Sequence, residues 1–313
     1  MAFQGARVVL VARFNRKYHR PGLGLAAGLA ALGCEVRRVE IRAKGIDALL
    51  RRSLASRLRR AVATADLVLS YNATELDPET IAAARPAGRA VWVNWFPDPP
   101  HRLDLSLHNG AAYDRCFLFD TSMVDRHRAL GRAAEFLPLG FDPAFYRPLA
   151  TGTAVATPLV FVGSPEPARD VALARVADLG LELWGPGRPR GPLFGDKLVR
   201  AYAGAKVALN IHQFFGDPPS SNRYGTGANQ RVFEVAGAGV AQLCDAKADI
   251  AKSFVEDREI VLFRTADELR EKALTLLADD DGRQGVADRA RQRAVAEHTW
   301  ERRLEELLTR VLR

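Results

Sequence analysis

The stretch Asn229-Gln-Arg-Val-Phe-Glu-Val-Ala-Gly-Ala-Gly-Val-Ala-Gln-Leu-Cys-Asp245 decides how this chain is built. Glu234 opens a helix of small residues that runs into Gly237 and Gly239. A short apolar strand, Val240 to Cys244, follows and ends on Asp245. Residues this small let a backbone and a ligand approach closely, and a carboxylate at the strand's end suits the hydroxyls of a sugar or ribose. An ordinary αβ unit, with Ala and Gly serving only tight helix–sheet packing, has the same pattern. The surrounding sequence has to separate the two.

Just upstream, Leu209-Asn-Ile-His-Gln213 leads into Phe214-Phe-Gly-Asp-Pro-Pro-Ser-Ser-Asn-Arg-Tyr-Gly-Thr-Gly-Ala-Asn229. Loops of this length inside a compact domain are functional or disordered. Asn210, His212, Arg223, Asn229 and Arg231 stand in or beside it, directly before the Glu234 helix, where a ligand belongs. Further upstream, Leu159-Val-Phe-Val-Gly-Ser164 is a buried strand entering a loop, with Arg169 near the start of the next helix. Helix-start amides and an arginine beside Gly163 and Ser164 make a cradle for a diphosphate, although an arginine at this position fits a plain surface role equally well. Trp184 and Gly185 stand at the end of the following strand, where a base can stack or bond to backbone, although a tryptophan at a strand end is as often core.

Strand and helix signals alternate along the whole chain. Apolar runs at 7–12, 35–41, 66–70, 89–95, 115–119 and 134–137 predict strands, separated by helices over 22–33, 46–63, 77–84, 104–112 and 122–130. After a break at Pro138-Leu-Gly-Phe-Asp-Pro143 and a weakly patterned stretch to Pro158, strands at 158–162, 180–184, 206–211, 240–244 and 259–263 alternate with helices at 167–178, 195–204, 228–238, 247–255 and 266–278. Residues 281–313 are helical with a break at His298-Thr299. This is α/β architecture: two tandem Rossmann-like domains, 1–150 and 151–297, with ligands expected at the carboxyl ends of the strands in a deep interdomain cleft.

Composition agrees. At 313 residues the chain suits two domains of roughly 150 each. Its 48% hydrophobic and 26% charged content are globular. No apolar run approaches the length of a membrane span, and strand-like Ala6-Arg-Val-Val-Leu-Val-Ala12 follows the start without signal-peptide architecture. Three scattered cysteines fit neither a disulfide framework nor a zinc site, so a cytoplasmic location is expected. The net charge of +8 favours anionic partners, whether nucleotide phosphates, nucleic acid or an acidic membrane surface, although an Ala/Leu/Arg-rich composition accounts for it equally well; no nucleic-acid recognition motif accompanies it. Arg51-Arg-Ser-Leu-Ala-Ser-Arg-Leu-Arg-Arg60 carries an apolar stripe, Ile46, Leu50, Leu54, Leu58 and Val62. That pattern fits a helix packed on a sheet better than one lying on a membrane.

In the first half, Val91-Trp-Val-Asn-Trp-Phe-Pro-Asp-Pro-Pro-His-Arg-Leu-Asp104 ends a strand in a polar loop. Asp98 and His101 are candidates for the base that deprotonates an acceptor hydroxyl, with Asn94 and Trp95 beside them on the acceptor side. Gly22-Leu-Gly-Leu-Ala-Ala27 formally matches G-x-G-x-x-A, and Glu40 ends the next strand, which supports a nicotinamide-dependent oxidoreductase as an alternative. Yet Gly22 lies about ten residues past the first strand, where a dinucleotide fingerprint needs its glycine in the turn directly after it. Gly22 and Gly24 therefore open a helix, either as a plain helix start or as one whose amides face the acceptor.

Four ordered segments resemble the CgeB-like (spore-maturation-type) glycosyltransferases of GT-B fold. They are Trp92 to Pro99; Phe117-Leu-Phe-Asp-Thr-Ser-Met-Val with Leu137-Pro-Leu-Gly-Phe-Asp-Pro-Ala-Phe-Tyr-Arg-Pro148; Phe161-Val-Gly-Ser164; and Leu209-Asn-Ile-His212 through Arg231-Val-Phe-Glu234. Phe254 to Ile260 and His298-Thr-Trp-Glu-Arg-Arg303 look like that family's tail. The resemblance implies a nucleotide-sugar donor, UDP-linked foremost, on the second domain and an acceptor on the first. It implies no bound metal, and a last helix, 298–313, crossing back to the first domain. Glu234 falls where relatives place a glutamate on the donor ribose. Many retaining relatives carry another glutamate eight positions earlier; here that residue is Thr226, which leaves the stereochemical outcome open and keeps a noncatalytic sugar-nucleotide binder as a further alternative.

Overall fold

Buried apolar runs joined by crossover helices form parallel strands, because each helix covers one face of the sheet it leaves. The computed structural model describes residues 3–14, 20–41, 47–73, 76–148, 157–218, 220–221 and 223–313. The chain folds as two compact units, Met1–Pro138 with Trp300–Arg313, and Leu139–Thr299. The boundary expected at residue 150 falls outside the described residues.

In the first unit the order is β1 (Arg7–Ala12), α1 (Arg20–Ala31), β2 (Glu35–Glu40), α2 (Asp47–Val62), β3 (Leu67–Tyr71), α3 (Pro78–Ala84), β4 (Val91–Phe96), α4 (Leu103–Gly110), β5 (Arg115–Leu118), α5 (Thr121–Arg128) and β6 (Ala134–Phe136). The six strands are parallel in the order β2-β1-β3-β4-β5-β6. Of the α2 stripe, Leu54, Leu58 and Val62 are buried against this sheet, as a sheet-packed helix requires; Ile46 lies outside the described residues. Among the described residues no helix is long and apolar enough to cross a membrane. All three cysteines are buried and unpaired.

The second unit runs β7 (Thr157–Val162), α6 (Pro167–Ala174), β8 (Leu181–Trp184), α7 (Asp196–Ala203), β9 (Ala205–Asn210), α8 (Gln230–Ala238), β10 (Ala241–Asp245), β11 (Val261–Phe263), α9 (Ala266–Ala278) and α10 (Asp280–Glu297). Its parallel order is β11-β10-β9-β7-β8. Leu159, Phe161 and Leu209 pack on one face, Val160 and Ala208 on the other. Strand order reverses at β1 and again at β7, and ligands bind beyond the carboxyl ends of strands at such switch points.

One element departs from its sequence reading. The helix expected over 247–255 is a short 3-10 segment, Ala248–Lys252. The Asp249 N–H donates to Thr226 O at 2.9 Å and the Thr226 hydroxyl donates to Asp249 Oδ2 at 2.8 Å, so this stretch is tied to the long loop.

The last helix, α11 (Trp300–Leu312), belongs to the first unit and packs on α1. Trp300, Leu304, Leu307 and Leu308 form its buried stripe. A Cβ at Gly24 would lie 2.4 Å from Trp300 Cδ1, and one at Gly28 would lie 2.9 Å from Leu304 Cδ1. Two glycines one turn apart thus open the groove that α11 fills. Trp300 then joins Tyr71 and Trp95 in a trio of edge-to-face rings with centroids 5.5–5.7 Å apart.

His127, on α5, gives the first unit a pH-dependent stability. Its ring is fully buried, Nε2 meets the Ser106 hydroxyl at 3.1 Å, and Nδ1 has no hydrogen-bond partner. Burial, helped by Arg132, depresses its pKa from 6.5 to about 4. The unfolded chain therefore takes up a proton that the folded chain refuses. Stability is complete above the unfolded pKa and falls as pH drops from 6.5 towards 4, by about 3 kcal/mol from this residue. Urea denaturation at pH 7 and pH 5 should reveal that loss in wild type and a smaller one in His127→Phe. Equal pH dependence in the two would show that His127 does not cause it.

Candidate functional site: an arginine cluster at the end of β7

β7 delivers Phe161 to the carboxyl edge of the second sheet and leads into Gly163 and Ser164. β8 is drawn close there: Gly163 N–H donates to Trp184 O at 2.8 Å, and a Cβ on Gly185 (φ +141°) would sit 2.4 Å from Gly163 O. Only glycine fits that position.

Three guanidinium groups gather on the Phe161 ring. Arg169, in the first turn of α6, Arg188, in the loop after β8, and Arg231, in the first turn of α8, lie 5.4, 5.6 and 5.6 Å from its centroid. Arg169 is 3% exposed and donates through Nη1 to Ser164 O at 2.9 Å. Arg188 donates to Gly163 O and Ser164 O and pairs with Asp170. Arg231 donates to Asn210 Oδ1 at 2.8 Å. The ring face attracts each cation, but the cations repel one another. Burial first, then Arg231, pulls the Arg169 pKa down to about 10; Glu166 and Asp245 act in the opposite sense and Arg188 adds to the depression. A depressed guanidinium among like charges marks a candidate anion site.

The polar residues around the cluster are mostly committed to one another. Asn210 donates to Asn229 Oδ1 and Gln242 Oε1, and Asn229 donates back to Asn210 Oδ1 at 3.0 Å while its own Oδ1 caps α8. His212 Nε2 accepts the Asn229 N–H at 3.1 Å, so Nδ1 carries the proton and donates to Asp245 Oδ1 at 2.6 Å. That oxygen also accepts the His212 N–H at 2.8 Å. Burial opposes the Asp245 charge, but His212 and Lys247 outweigh it and hold the carboxyl below its ordinary value. Asp245, expected to meet sugar hydroxyls, is 2% exposed and braces β9 instead. Asn210, His212 and Asn229 form the frame that orients Arg231 and the start of α8.

His212, Cys244 and Asp245 are also close enough to hold a cation, with ligand atoms within 4.8 Å. The donor set fits poorly. Both imidazole nitrogens are engaged within the protein, and burial raises the Cys244 thiol well above its usual range, against the thiolate a metal needs.

The remaining donor-side candidates spread out. Glu234 is half-buried and accepts the Gln230 amide at 2.7 Å. The buried Tyr202 of α7 feels its charge together with that of Arg231, and burial pushes the phenol up to about 12. Trp184 is half-buried, donates its indole N–H to Glu182 at 3.0 Å, and lies under Arg190. Arg223 is half exposed and pairs with Asp217 over the Phe214 ring.

In the first unit, Asp98 follows β4 and is 6% exposed. Arg102 donates to it at 3.2 Å. Burial raises its pKa despite the pull of Arg102, His101 and Arg13. His101 is exposed, and burial followed by Arg102 lowers its pKa, while Asp98 opposes that shift. Asn94 is 1% exposed inside β4, and the fully buried Trp95 donates its indole N–H to Leu137 O at 3.2 Å. Gly24 packs on Trp300, and a Cβ at Gly22 would come 2.2 Å from Arg13 O. The geometry therefore gives Trp95, Gly22 and Gly24 packing partners. Arg188, Glu166, Gln242 and Tyr202 escape a sequence reading. Only Glu166-Pro167 had a local signal, a carboxylate ahead of a proline at a helix start.

A family model described as "Glycosyl transferase-like" matches residues 169–309, which include most of this site. No curated protein matches the sequence significantly. Among solved structures the chain is similar to AviGT4, a glycosyltransferase involved in avilamycin A biosynthesis (TM-score 0.68, 19% identity, 98% of this chain and 97% of that one). Sucrose-phosphate synthase from Thermosynechococcus elongatus aligns with TM-score 0.66 and 14% identity over 98% and 99% of the two chains. Anabaena HepE, in complex with UDP and glucose, aligns with TM-score 0.66 and 11% identity over 97% and 100%. At these identities the likeness establishes architecture: the chain has the GT-B fold of these proteins.

Proposed function

We propose that the chain is a glycosyltransferase that moves a sugar from a nucleoside-diphosphate donor, a UDP-sugar foremost, to an acceptor hydroxyl. The observation that carries this reading is the convergence of Arg169, Arg188 and Arg231 on Phe161 at the carboxyl end of β7, at a strand-order switch point. Sugar transfer builds negative charge on the departing diphosphate, and preorganised cations aimed at that charge are an effective way to stabilise it. Guanidinium groups then serve in place of a divalent cation. Glu234 takes the donor ribose, Trp184 and Gly185 flank the base, and Asp98 accepts the proton of the acceptor hydroxyl. Supporting this are the family match over 169–309 and the UDP and UDP-glucose complexes of HepE, a protein of the same fold.

Thermal denaturation with UDP, GDP and NAD tests the reading. UDP or GDP at a hundredfold excess over its Kd is expected to add about 2.7 kcal/mol and to raise Tm by several degrees. Stabilisation by NAD alone would transfer the site to the oxidoreductase alternative.

A further inference from the structure

The amides at the start of α6 already hold an anion. The helix is eight residues long and its N-cap is a glutamate: the Glu166 carboxylate accepts the Ala168 N–H at 3.3 Å and the Arg169 N–H at 3.0 Å. Ser, Thr, Asp and Asn are the usual residues there, because a shorter side chain reaches these amides with less to order. First-turn amides and a positive helix end are also what bind phosphate. The sequence assigns the same amides, with Arg169, to a diphosphate; in the folded chain an internal carboxylate occupies them.

Arg169 supplies a second observation. It is 3% exposed, yet its buried Nε has no hydrogen-bond partner. Its guanidinium lies over the turn leading into α6, since a Cβ on Gly163 would come 3.4 Å from Nη1. A buried donor is thus unused beside a helix start whose own donors are taken.

We propose that Glu166 is a built-in stand-in for phosphate, holding the α6 N-terminus in the free protein until the donor's diphosphate displaces it. The proposal rests on the reading of this site as a diphosphate site. A diphosphate gains both the amides and the three guanidinium groups, whereas Glu166 hydrogen-bonds the amides and reaches Arg169 only through charge. The carboxylate therefore weakens diphosphate binding by competition and by repulsion, and its removal strengthens it.

Calorimetric titration of the full chain with UDP and with inorganic pyrophosphate tests this in wild type, Glu166→Gln and Glu166→Ser. Glutamine keeps the length and an acceptor oxygen without the charge; serine is a preferred cap that preserves the helix start. Both variants are expected to bind both probes about tenfold more tightly, the scale of one screened charge repulsion. A cap with only a structural role predicts unchanged or weaker binding, and that result, with wild-type binding measurable, overturns the proposal. Tightening for UDP without tightening for pyrophosphate overturns it too, since the effect would not lie at the phosphates. Absence of UDP and GDP binding in wild type would instead remove the diphosphate reading on which it stands.

Discussion

Asp98→Asn is expected to slow sugar transfer by about 10²–10⁴-fold, the range for loss of a positioned general base. UDP affinity should stay unchanged, because the donor contacts assigned above all belong to the second unit. The environment of Asp98 suits the role. Burial raises its pKa, which makes it a stronger base than a surface aspartate. Its ionisation is also a cost to the fold. An acid whose folded pKa is raised contributes stability below its unfolded pKa and loses it as pH rises through the folded one. Asparagine removes that cost, so Tm at neutral pH should not fall. A pH–rate profile gives a separate readout: the acidic limb that wild type owes to Asp98 should disappear in the variant. Full transfer activity in Asp98→Asn would reject the assignment and direct attention to the exposed His101.

The fold was legible because it rests on local periodicity. Runs such as Val8–Val11 and Leu67–Leu69 are buried on both faces of a sheet and so are apolar throughout. Asp77, Asp120, Asn229, Thr265 and Asp279 cap their helices through side-chain oxygens. The site was legible by residue type and much less by role. Nothing in the spacing of Asn210, His212, Asn229 and Asp245 says that they satisfy each other across β9, β10 and α8, because such pairings join residues up to 33 positions apart. Arg188 joins Arg169 only because the β8 turn folds back onto Gly163. Gly22 and Gly24 resemble a ligand-binding motif, but a missing Cβ serves close packing and ligand approach equally well. Their neighbours, Arg13 and Trp300, are known only once the chain has folded.

Arg169→Ala is expected to weaken UDP binding by about a hundredfold, close to 3 kcal/mol, the upper range for a charge-assisted contact in a desolvated site. Net charge alone does not predict this result. Arg223 carries the same charge in the adjoining loop, but it is half exposed and already paired with Asp217, so Arg223→Ala should change affinity by no more than about threefold. Arg169 has the opposite character: it is buried, shares a ring with two other guanidinium groups, and has its pKa drawn down to about 10. It stays charged at neutral pH and gives up stability to do so. Its removal should therefore leave Tm level or raise it while affinity falls, the trade expected where a fold maintains strained charge for function. Arg169→Lys should restore only part of the affinity, since an ammonium cannot contact Ser164 O and the Phe161 face as a planar fork does. Unchanged UDP affinity in Arg169→Ala would mean that the cluster braces the β7 turn alone. A matched loss of affinity and Tm would make Arg169 a structural residue. A loss of affinity without a loss of stability is the outcome that places the diphosphate on Arg169.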